Sequence, residues 1–414
     1  MATIRPFKAI RPEKEYASKV ISLPYDVMNR KEAAEMAEGN PYSFLHICRA
    51  EIDLPKQENQ YDVTVYEKAK ANIQKYLEDG VFVTEDKPAL YFYRQIMDGR
   101  VQTGVVGCVS VDEYKNNTIK KHEFTRVEKE IDRINHFDVC DANTEPIFLT
   151  YRDDKRIRSI LEGFAENNEP IYDVTTSDGI RHILWVMDDE ELVANLVGLF
   201  GEIPALYIAD GHHRSASACK VGEKRREENP DYTGDEEFNF FMAVVFPDND
   251  LKIFDYNRVI KDLNGNTVEQ FIIKAEAAGF IVEEKGEEIY YPERKHVFSM
   301  YLEGKWYKVT AKDEIIPDHV TDSLDVAVLQ NSLLGPVLGI EDPRTDKRID
   351  FVGGIRGLEE LKKRVESDMK IAFAVYPVDV TDLLEVADNN MVMPPKSTWF
   401  EPKLGSGLFV HSLK

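Results

Sequence analysis

The sequence predicts a mixed α/β fold of the α+β kind, with one main body and a small inserted unit. Three observations lead to this prediction. The chain has 414 residues, more than the ~250–300 that a single hydrophobic core usually serves. Runs rich in β-branched and aromatic residues alternate with stretches whose apolar residues recur at helical spacing. A strand, a turn and a helix follow one another directly over residues 205–228.

Strand patterns are short runs of β-branched and aromatic residues bounded by turn residues. They predict strands at 89–96, 101–111, 146–150, 181–187, 205–209, 238–246, 280–284, 296–311 and 371–378. Asp98-Gly99, between the first two runs, is typical of a two-residue hairpin turn. The stretch 251–260 is predicted to be the hairpin partner of the strand that ends at 246.

Helix patterns place apolar residues three and four positions apart. They predict helices at 65–77, 189–200, 215–228, 268–278 and 358–365. Thr267 and Gln270 have the spacing of a capping box for the fourth of these. Asp322 is predicted to cap a further helix that contains Leu324 and Val328. The charged segment 220–237 is predicted to run over the surface.

The predicted domain organisation has two parts. Residues 1–261 and 321–414 form the main α/β body, and 262–320 form a small α/β insertion. The last residues contain too many Pro, Gly and Ser for regular structure and too many aromatics for a disordered tail. We therefore expect a C-terminal segment that packs onto the body.

Composition and charge indicate a globular protein and exclude some partners. The chain is 43% hydrophobic and 31% charged, which is ordinary for a folded domain. Its formal net charge of −23 repels polyanions, and it contains no long basic run, so we expect no nucleic-acid partner.

The cysteines and the apolar runs bear on the compartment. Four widely spaced cysteines without a CxxC pair disfavour a zinc site and a disulfide framework. No apolar run has signal-peptide character or approaches the ~20 residues of a membrane span. A cytoplasmic location with no membrane partner is expected.

The most informative segment is ALYIADGHHRSASACK, residues 205–220. A glycine after a strand permits a sharp turn, and the first N–H groups of the following helix attract anions. Arg214 can fork onto phosphate oxygens, both imidazoles can donate, and Ser215 adds a hydroxyl. The segment predicts an anion site that contains Gly211, His212 and His213.

Two other interpretations of this segment stay open. In the first, Asp210 caps a helix in an ordinary surface turn and the histidines are solvated. In the second, Asp210, His212 and His213 are metal ligands. Adjacent histidines point in different directions in most backbones, and there is no HxH or HxxxH pair, so the anion site is favoured over the metal site.

Further polar clusters occur elsewhere in the sequence. Residues 120–137 bring His122, Glu123, Thr125 and Arg133 into one short region, which is compatible with a carboxylate base or with an exposed, salt-bridged helix start. Residues 393–403 offer Lys396, Ser397, Thr398 and Lys403 in a proline-bounded loop that lacks the glycines of a P-loop. Tyr25 and Asp26 lie in a Pro-Tyr turn that could border a pocket.

Several of these segments together resemble a known family. They are LPYDV at 23–27, NPYSFLH at 40–46, the HEFT box at 122–125, ANTEPIF at 142–148, DGHHR at 210–214 and MPPKSTWFEPK at 393–403. They resemble the bacterial and archaeal family known as domain of unknown function 1015, over almost the full chain. The DGHHR box is also similar to the nucleotide-binding box of the ParB and sulfiredoxin superfamily, which includes kinases of free L-serine.

The resemblance implies a ParB/sulfiredoxin-like core and a division of roles. It implies ATP or ADP with Mg²⁺ as cofactors and places Asp210 near the metal. The catalytic candidates are Glu123, Asp210 and His212. The phosphate-binding candidates are Gly211, His213, Arg214, Ser215, Lys396, Ser397, Thr398 and Lys403. The other pocket candidates are Tyr25, Asp26, His122, Thr125 and Arg133.

The function expected from these roles is phosphoryl transfer from a nucleotide to a small hydroxyl metabolite. L-Serine is the acceptor that the resemblance favours, with Glu123 as the base. The alternatives are a nucleotide-binding or nucleotide-hydrolysing regulatory protein and a metal hydrolase that uses the two histidines. Association into a homodimer stays open.

Overall fold

The computed structural model describes residues 1–55 and 59–414. It has a mixed α/β fold, as predicted. The chain divides into two compact units. The first contains Met1–Leu251 and Pro402–Lys414, and the second contains Lys252–Glu401.

The strands of the described residues are mostly short. In chain order they are β1 Ala9–Pro12, β2 Phe82–Thr84, β3 Leu90–Met97, β4 Arg100–Ser110, β5 Ile119–Lys120, β6 Ala142–Asn143, β7 Ile147–Tyr151, β8 Tyr172–Thr175, β9 Arg181–Met187, β10 Leu206–Asp210, β11 Phe240–Pro247, β12 Ile253–Phe254, β13 Tyr256–Ile260, β14 Phe280–Gly286, β15 Val297–Leu302, β16 Lys305–Ala311, β17 Ile349–Gly353, β18 Ile371–Ala374, β19 Trp399–Phe400 and β20 Val410–Ser412.

The α-helices of the described residues range from single turns to 17 residues. They are α1 Ala17–Val20, α2 Arg30–Ala37, α3 Leu45–Cys48, α4 Val63–Glu78, α5 Val111–Lys115, α6 Val127–Cys140, α7 Lys155–Asn167, α8 Glu190–Phe200, α9 His212–Glu228, α10 Val268–Ala277, α11 Asp325–Leu329, α12 Leu358–Ser367 and α13 Val380–Asp388.

An eight-stranded mixed sheet is the centre of the first unit. Its strand order is β5-β10-β7-β11-β4-β3-β9-β8. Strand β11 runs parallel to β7 and antiparallel to β4, which explains its fully apolar inner residues: both of its edges are paired. A smaller antiparallel sheet has the order β2-β1-β20-β6. The C-terminal segment therefore packs onto this unit, as predicted, because β20 pairs with both β1 and β6.

The second unit is organised around an antiparallel sheet with the order β14-β16-β15-β18-β13-β17. This sheet corrects the predicted 262–320 insertion. Strands β14 to β16 lie within those bounds, but β15 pairs with β18, and β13 and β17 complete the same sheet. The boundaries fall at 251 and 402 instead, because strands distant in sequence share one set of backbone hydrogen bonds.

Several local predictions are confirmed. β3 and β4 form the hairpin, and Asp98 and Gly99 both have positive φ angles of 51° and 77°, as a type I′ turn requires. The capping box of Thr267 and Gln270 is present at the start of α10. Asp62 caps α4, whose apolar face is buried. All four cysteines are buried and unbridged.

Two local predictions are wrong. Residues 251–260 are not the hairpin partner of β11, because β12 pairs with β19 and β13 joins the sheet of the second unit. The helix after Asp322 begins only at Asp325, and no side chain caps it. The charged segment 220–237, by contrast, runs over the surface as predicted: it continues α9 as far as Glu228, and all but two of its residues are exposed or half-buried.

Candidate functional site

The site is built on the turn between β10 and α9. Strand β10 ends at Asp210, and Gly211 adopts a left-handed φ of 95° before the helix begins at His212. A Cβ atom at residue 211 would lie 3.2 Å from the Arg214 guanidinium, so glycine allows that group to fold against the turn. The Ser215 hydroxyl donates to the Gly211 carbonyl at 3.0 Å and so closes the first turn internally.

Arg214 lies almost wholly inside the first unit, with only 2% of its side chain exposed. One terminal nitrogen donates to the carbonyl of Pro146 at 2.6 Å, and the other lies 3.8 Å from Asp210 Oδ2. Its Nε–H is buried and has no hydrogen-bond partner among the described residues. A buried donor of this kind is costly unless an acceptor meets it, so the group is suited to bind an anion.

Acidic neighbours keep this guanidinium charged. Burial lowers the pKa of Arg214, but the charges of Asp26, Asp210 and Glu145 outweigh it and raise the pKa above its ordinary value. Asp26 follows Tyr25 in a short 3₁₀ turn, Tyr25–Val27. The structure therefore brings the predicted residues Asp26 and Arg214 into one electrostatic environment.

Asp210 is held between two cations. Lys403 Nζ lies 3.4 Å from Asp210 Oδ2, and a terminal nitrogen of Arg214 lies 3.8 Å from the same oxygen. Burial raises the pKa of Asp210, but the charges of Lys403 and Arg214 overcome this effect and lower the pKa to about 2. The carboxylate is therefore ionised near neutral pH, and the C-terminal segment supplies one of its partners.

Glu145 is a residue of this site that sequence reasoning missed. It is 1% exposed, and its Oε1 accepts hydrogen bonds from the Tyr25 backbone N–H at 3.1 Å and the Ser406 hydroxyl at 2.9 Å. Its Oε2 lies 3.8 Å from Arg133. The only sequence signal was its place in the ANTEPIF segment, to which no role was assigned.

Arg133 is the second buried cation here. Its Nε donates to Asp132 at 2.9 Å, and its guanidinium carbon lies 4.0 Å from the centroid of the Tyr25 ring. Burial lowers the pKa of Arg133, but Asp132, Tyr25 and Glu145 together raise it. Both predicted pocket residues, Tyr25 and Arg133, thus lie beside Glu145 in the interior.

His122 and His212 form a buried pair. Their ring centroids are 4.4 Å apart and their planes meet at 85°. Burial lowers the pKa of His122 to about 4, and burial together with the charge of His122 lowers that of His212 well below its usual range. Both rings are therefore neutral at pH 7. His212 Nδ1 lies 3.9 Å from Glu123 Oε2, and the Glu123 side chain is 55% exposed.

Two other predicted residues, His213 and Thr125, stabilise the segment around Glu123. His213 Nε2 accepts the backbone N–H of Arg126 at 2.9 Å, so this nitrogen is not directed at a ligand. The Thr125 hydroxyl donates to Glu130 at 2.7 Å. Glu130 also pairs with Lys220 of α9. These contacts fasten residues 122–130 to α9.

The remaining predicted residues belong to the second unit. Lys396 has a left-handed φ of 56°, and its Nζ lies 5.1 Å from the centroid of the Tyr256 ring. The Ser397 hydroxyl donates to the Pro394 carbonyl. Thr398 directly precedes β19. A phosphate-binding role for Lys396, Ser397 and Thr398 stays a prediction.

The donor set bears on a metal. No group of three or more His, Cys, Asp or Glu side chains with a metal-binding arrangement occurs among residues 1–55 and 59–414. The contact of His213 with the Arg126 backbone disfavours the metal site in which His212 and His213 would both be ligands. Mg²⁺ commonly takes one or two carboxylates and completes its shell with phosphates and water, and Asp210 fits that role.

The sequence matches the model of one known protein family. A family described as a protein of unknown function, DUF1015, matches residues 4–327, which is more than half of the sequence. The chain belongs to the DUF1015 family. In this DUF1015 protein, the match covers the whole Asp210–Ser215 turn and Glu145, whereas Lys396 and Lys403 lie beyond it.

Further comparisons give more distant similarities. A search of curated proteins finds no match for this DUF1015 protein. Among solved structures it is similar to a free serine kinase in complex with AMP, with 13% identity, a TM-score of 0.37, and 73% of this chain and 92% of the other covered. It is also similar to SbnI with a C-terminal truncation from Staphylococcus aureus, with 11% identity, a TM-score of 0.39, and coverages of 75% and 89%. A conserved hypothetical protein from Pyrococcus furiosus shows 15% identity, a TM-score of 0.36, and coverages of 74% and 95%.

In the described part of the chain, no helix combines the length and the apolar character that a membrane span needs.

Proposed function

We propose that this DUF1015 protein is a nucleotide-dependent kinase that transfers a phosphoryl group to a small hydroxyl metabolite, with L-serine as the acceptor. The observation that carries the proposal is the buried guanidinium of Arg214 at the start of α9, whose Nε–H lacks a partner among the described residues. The sequence similarity of the DGHHR box to nucleotide-binding boxes supports a nucleotide phosphate as the anion.

The phosphate-binding step uses the turn and the cations around it. The left-handed Gly211 leads directly into a 17-residue helix, whose first N–H groups point out of its N-terminal end and attract negative charge. Arg214 donates Nε–H to a phosphate oxygen, and Lys403 neutralises further charge beside Asp210. The strongly negative net charge of the chain does not oppose this step, because the contacts are local.

The transfer step needs a base for the acceptor hydroxyl. Glu123 takes the proton of the serine hydroxyl while that oxygen forms a bond to the terminal phosphorus of the nucleotide. The bond from phosphorus to the bridging oxygen breaks, and the nucleotide leaves with one phosphate fewer. His212 positions Glu123, since its Nδ1 lies 3.9 Å from the carboxylate and its neutral ring does not compete for the proton.

The charge on the transferring group must also be offset. Mg²⁺ bound by Asp210 and the nucleotide phosphates would supply this neutralisation. The chain itself contributes Arg214 and Lys403, and the low pKa of Asp210, about 2, keeps its carboxylate ionised as a ligand. We also propose that the core of the protein is ParB/sulfiredoxin-like. The phosphoryl donor in this proposal is ATP or ADP.

The test is a direct assay of the product. Purified protein is incubated with Mg²⁺, L-serine and either ATP or ADP, and ³¹P NMR follows O-phosphoserine and the nucleotide product together. D-Serine and L-alanine are the controls for the acceptor, and excess chelator is the control for Mg²⁺. We expect O-phosphoserine in equal amount to the nucleotide product. Nucleotide binding without acceptor-dependent turnover would reject the kinase and favour the regulatory alternative.

A further inference from the structure

The second unit contains a cavity of about 210 Å³. Its lining residues all belong to Lys252–Glu401, whereas Glu123, Asp210, Arg214 and Lys403 belong to the first unit. Its lining combines the carboxylates of Asp318, Asp325, Asp382 and Glu385 with apolar side chains such as Leu324 and Val378. Cavities for drug-sized ligands usually measure ~300–1,000 Å³, so this one suits a smaller molecule.

Asp325 is the buried anion of this cavity. Its side chain is 4% exposed, and Oδ1 accepts the backbone N–H of His296 at 2.8 Å and lies 3.2 Å from the imidazole Nδ1 of the same residue. Oδ2 is buried and has no hydrogen-bond partner among the described residues. An ionised carboxylate in this position is costly unless a cation or a donor meets it. The unpartnered oxygen therefore indicates where a ligand donor would bind.

The backbone at His296 holds this arrangement in place. His296 has a left-handed φ of 64°, which is unfavourable for a residue with a side chain. Such conformations persist where the surrounding structure imposes them, and they concentrate at ligand sites. Here the strained residue directs its N–H to Asp325 Oδ1, and the other carboxylate oxygen stays without a hydrogen-bond partner among the described residues.

The nearby ammonium group does not serve Asp325. Lys295 Nζ lies 2.7 Å from Asp382 and 3.0 Å from Asp379, so those two carboxylates already engage it. The cavity lining thus contains four carboxylates against one ammonium, Lys295, and one imidazole, that of His296. The local potential is negative and favours a cationic ligand.

The shape of the donor set distinguishes between kinds of cation. The described residues contain no cluster of His, Cys, Asp or Glu arranged to hold a metal ion, whereas Leu324, Val378 and Tyr376 give the cavity an apolar wall. We propose that the cavity binds a small primary amine, whose ammonium donates to Asp325 Oδ2 and whose hydrocarbon part packs on that wall. A second ammonium on the same ligand would interact with Asp318 or Glu385, the exposed carboxylates of the lining.

Calorimetry and ligand-observed NMR on the full chain test this proposal with three probes of similar size. The probes are 1,4-diaminobutane, butylamine and 1-butanol. We expect the diamine to bind more tightly than the monoamine, and the neutral alcohol to give no saturable binding. Failure of both amines to bind, or equal binding of the alcohol, would overturn the proposal. Displacement of the amine by equimolar Mg²⁺ would also overturn it, since that result indicates a metal site.

Matched variants locate the site. Asp325→Asn keeps an acceptor for the His296 N–H and removes the charge, so diamine affinity should fall about tenfold or more. Asp313→Asn, at an exposed position of the same unit, should bind as the native chain does. Unchanged diamine affinity in a folded Asp325→Asn variant would reject the site. If that variant fails to fold, Glu385→Gln provides the test: it should weaken the diamine several-fold, and equal affinity would again reject the proposal.

Discussion

The imidazole rings of His122 and His212 meet edge to face in the interior of the first unit, with centroids 4.4 Å apart. Neither ring nitrogen of His122 has a hydrogen-bond partner among the described residues. This packing keeps both rings neutral and places His212 Nδ1 toward Glu123. The buried pair therefore holds His212 in place beside Glu123, the carboxylate that we propose as the base.

The first prediction concerns stability and pH. The pKa of His122 falls from 6.5 to about 4 on folding, so between these pH values only the unfolded chain binds this proton. Its contribution to the free energy of unfolding is full above pH 6.5 and is lost as the pH falls toward 4. We expect His122→Asn to reduce the pH dependence in this window by up to about 1.4 kcal/mol per pH unit. Urea unfolding measured from pH 7 to 4.5 checks this.

A substitution that removes no titratable group provides the control for that experiment. Gln74 is exposed on α4. Gln74→Asn should therefore leave the slope of unfolding free energy against pH as it is in the native chain. Equal slopes for the native chain and His122→Asn would contradict the buried, neutral state of His122.

The second prediction separates the charge of Arg214 from its planar geometry. Arg214→Lys keeps a cation among Asp26, Asp210 and Glu145, so the fold should survive. It removes the Nε–H and the guanidinium fork, and nucleotide affinity should fall about tenfold. Fluorescent-nucleotide titration together with thermal unfolding measures both effects. Native affinity in the folded variant would show that Arg214 is purely structural.

The third prediction tests the base. Glu123→Gln removes the proton acceptor and should lower the turnover rate about a hundredfold, with little change in nucleotide affinity. The matched control is Glu128→Gln, which changes an exposed carboxylate in the first turn of α6. This variant should turn over at the native rate. Equal rates for the two variants would dismiss Glu123 as the base.

The fourth prediction concerns the turn glycine. Gly211→Ala forces a side chain into a φ of 95° and places its Cβ 3.2 Å from Arg214. Gly234→Ala meets a similar φ of 103° with no atom within 4 Å of the added carbon. The Gly234 variant should lose about 1–2 kcal/mol of unfolding free energy, and the Gly211 variant more. Only the Gly211 variant should also lose nucleotide affinity. If the two variants lost the same unfolding free energy and the same nucleotide affinity, the contact with Arg214 would be refuted.

The fifth prediction concerns Glu145. Glu145→Gln keeps the acceptor for Tyr25 and Ser406 but removes the negative charge beside Arg133. The unfolding free energy should fall by about 1–3 kcal/mol, because the buried Arg133 guanidinium keeps Asp132 but loses one of its two counter-charges. Glu35→Gln, at an exposed pair on α2, should change it by less than about 0.5 kcal/mol. Chemical denaturation of the three proteins decides the matter.

Local chemistry made much of this molecule predictable. Asp98-Gly99 specifies its hairpin because few residues tolerate two consecutive positive φ angles, and Thr267 with Gln270 specifies a helix start because each side chain bonds the other's backbone N–H. The turn at Asp210–Gly211 was predictable for the same reason. So was the packing of the C-terminal segment, since its aromatic residues need burial.

Other features depend on residues that are distant in the chain. The pairing of β15 with β18 moved the domain boundary, and no local pattern encodes a partner more than 60 residues away. Glu145 joins the site because Tyr25, Arg133 and Ser406 converge on it from three separate segments. The sequence shows only that a glutamate precedes a proline, and it does not show which side chains surround that glutamate.

The sequence by itself determined the mixed α/β class, the family and the position of the strand–turn–helix with its cations. The tertiary structure alone decided which of those side chains are buried, and so which are charged. Arg214 and His122 are both polar residues near a turn, yet acidic neighbours keep the first ionised and burial keeps the second neutral. The physical reason is that the pKa and hydrogen-bonding state of a side chain depend on its spatial neighbours, which only the folded chain assembles.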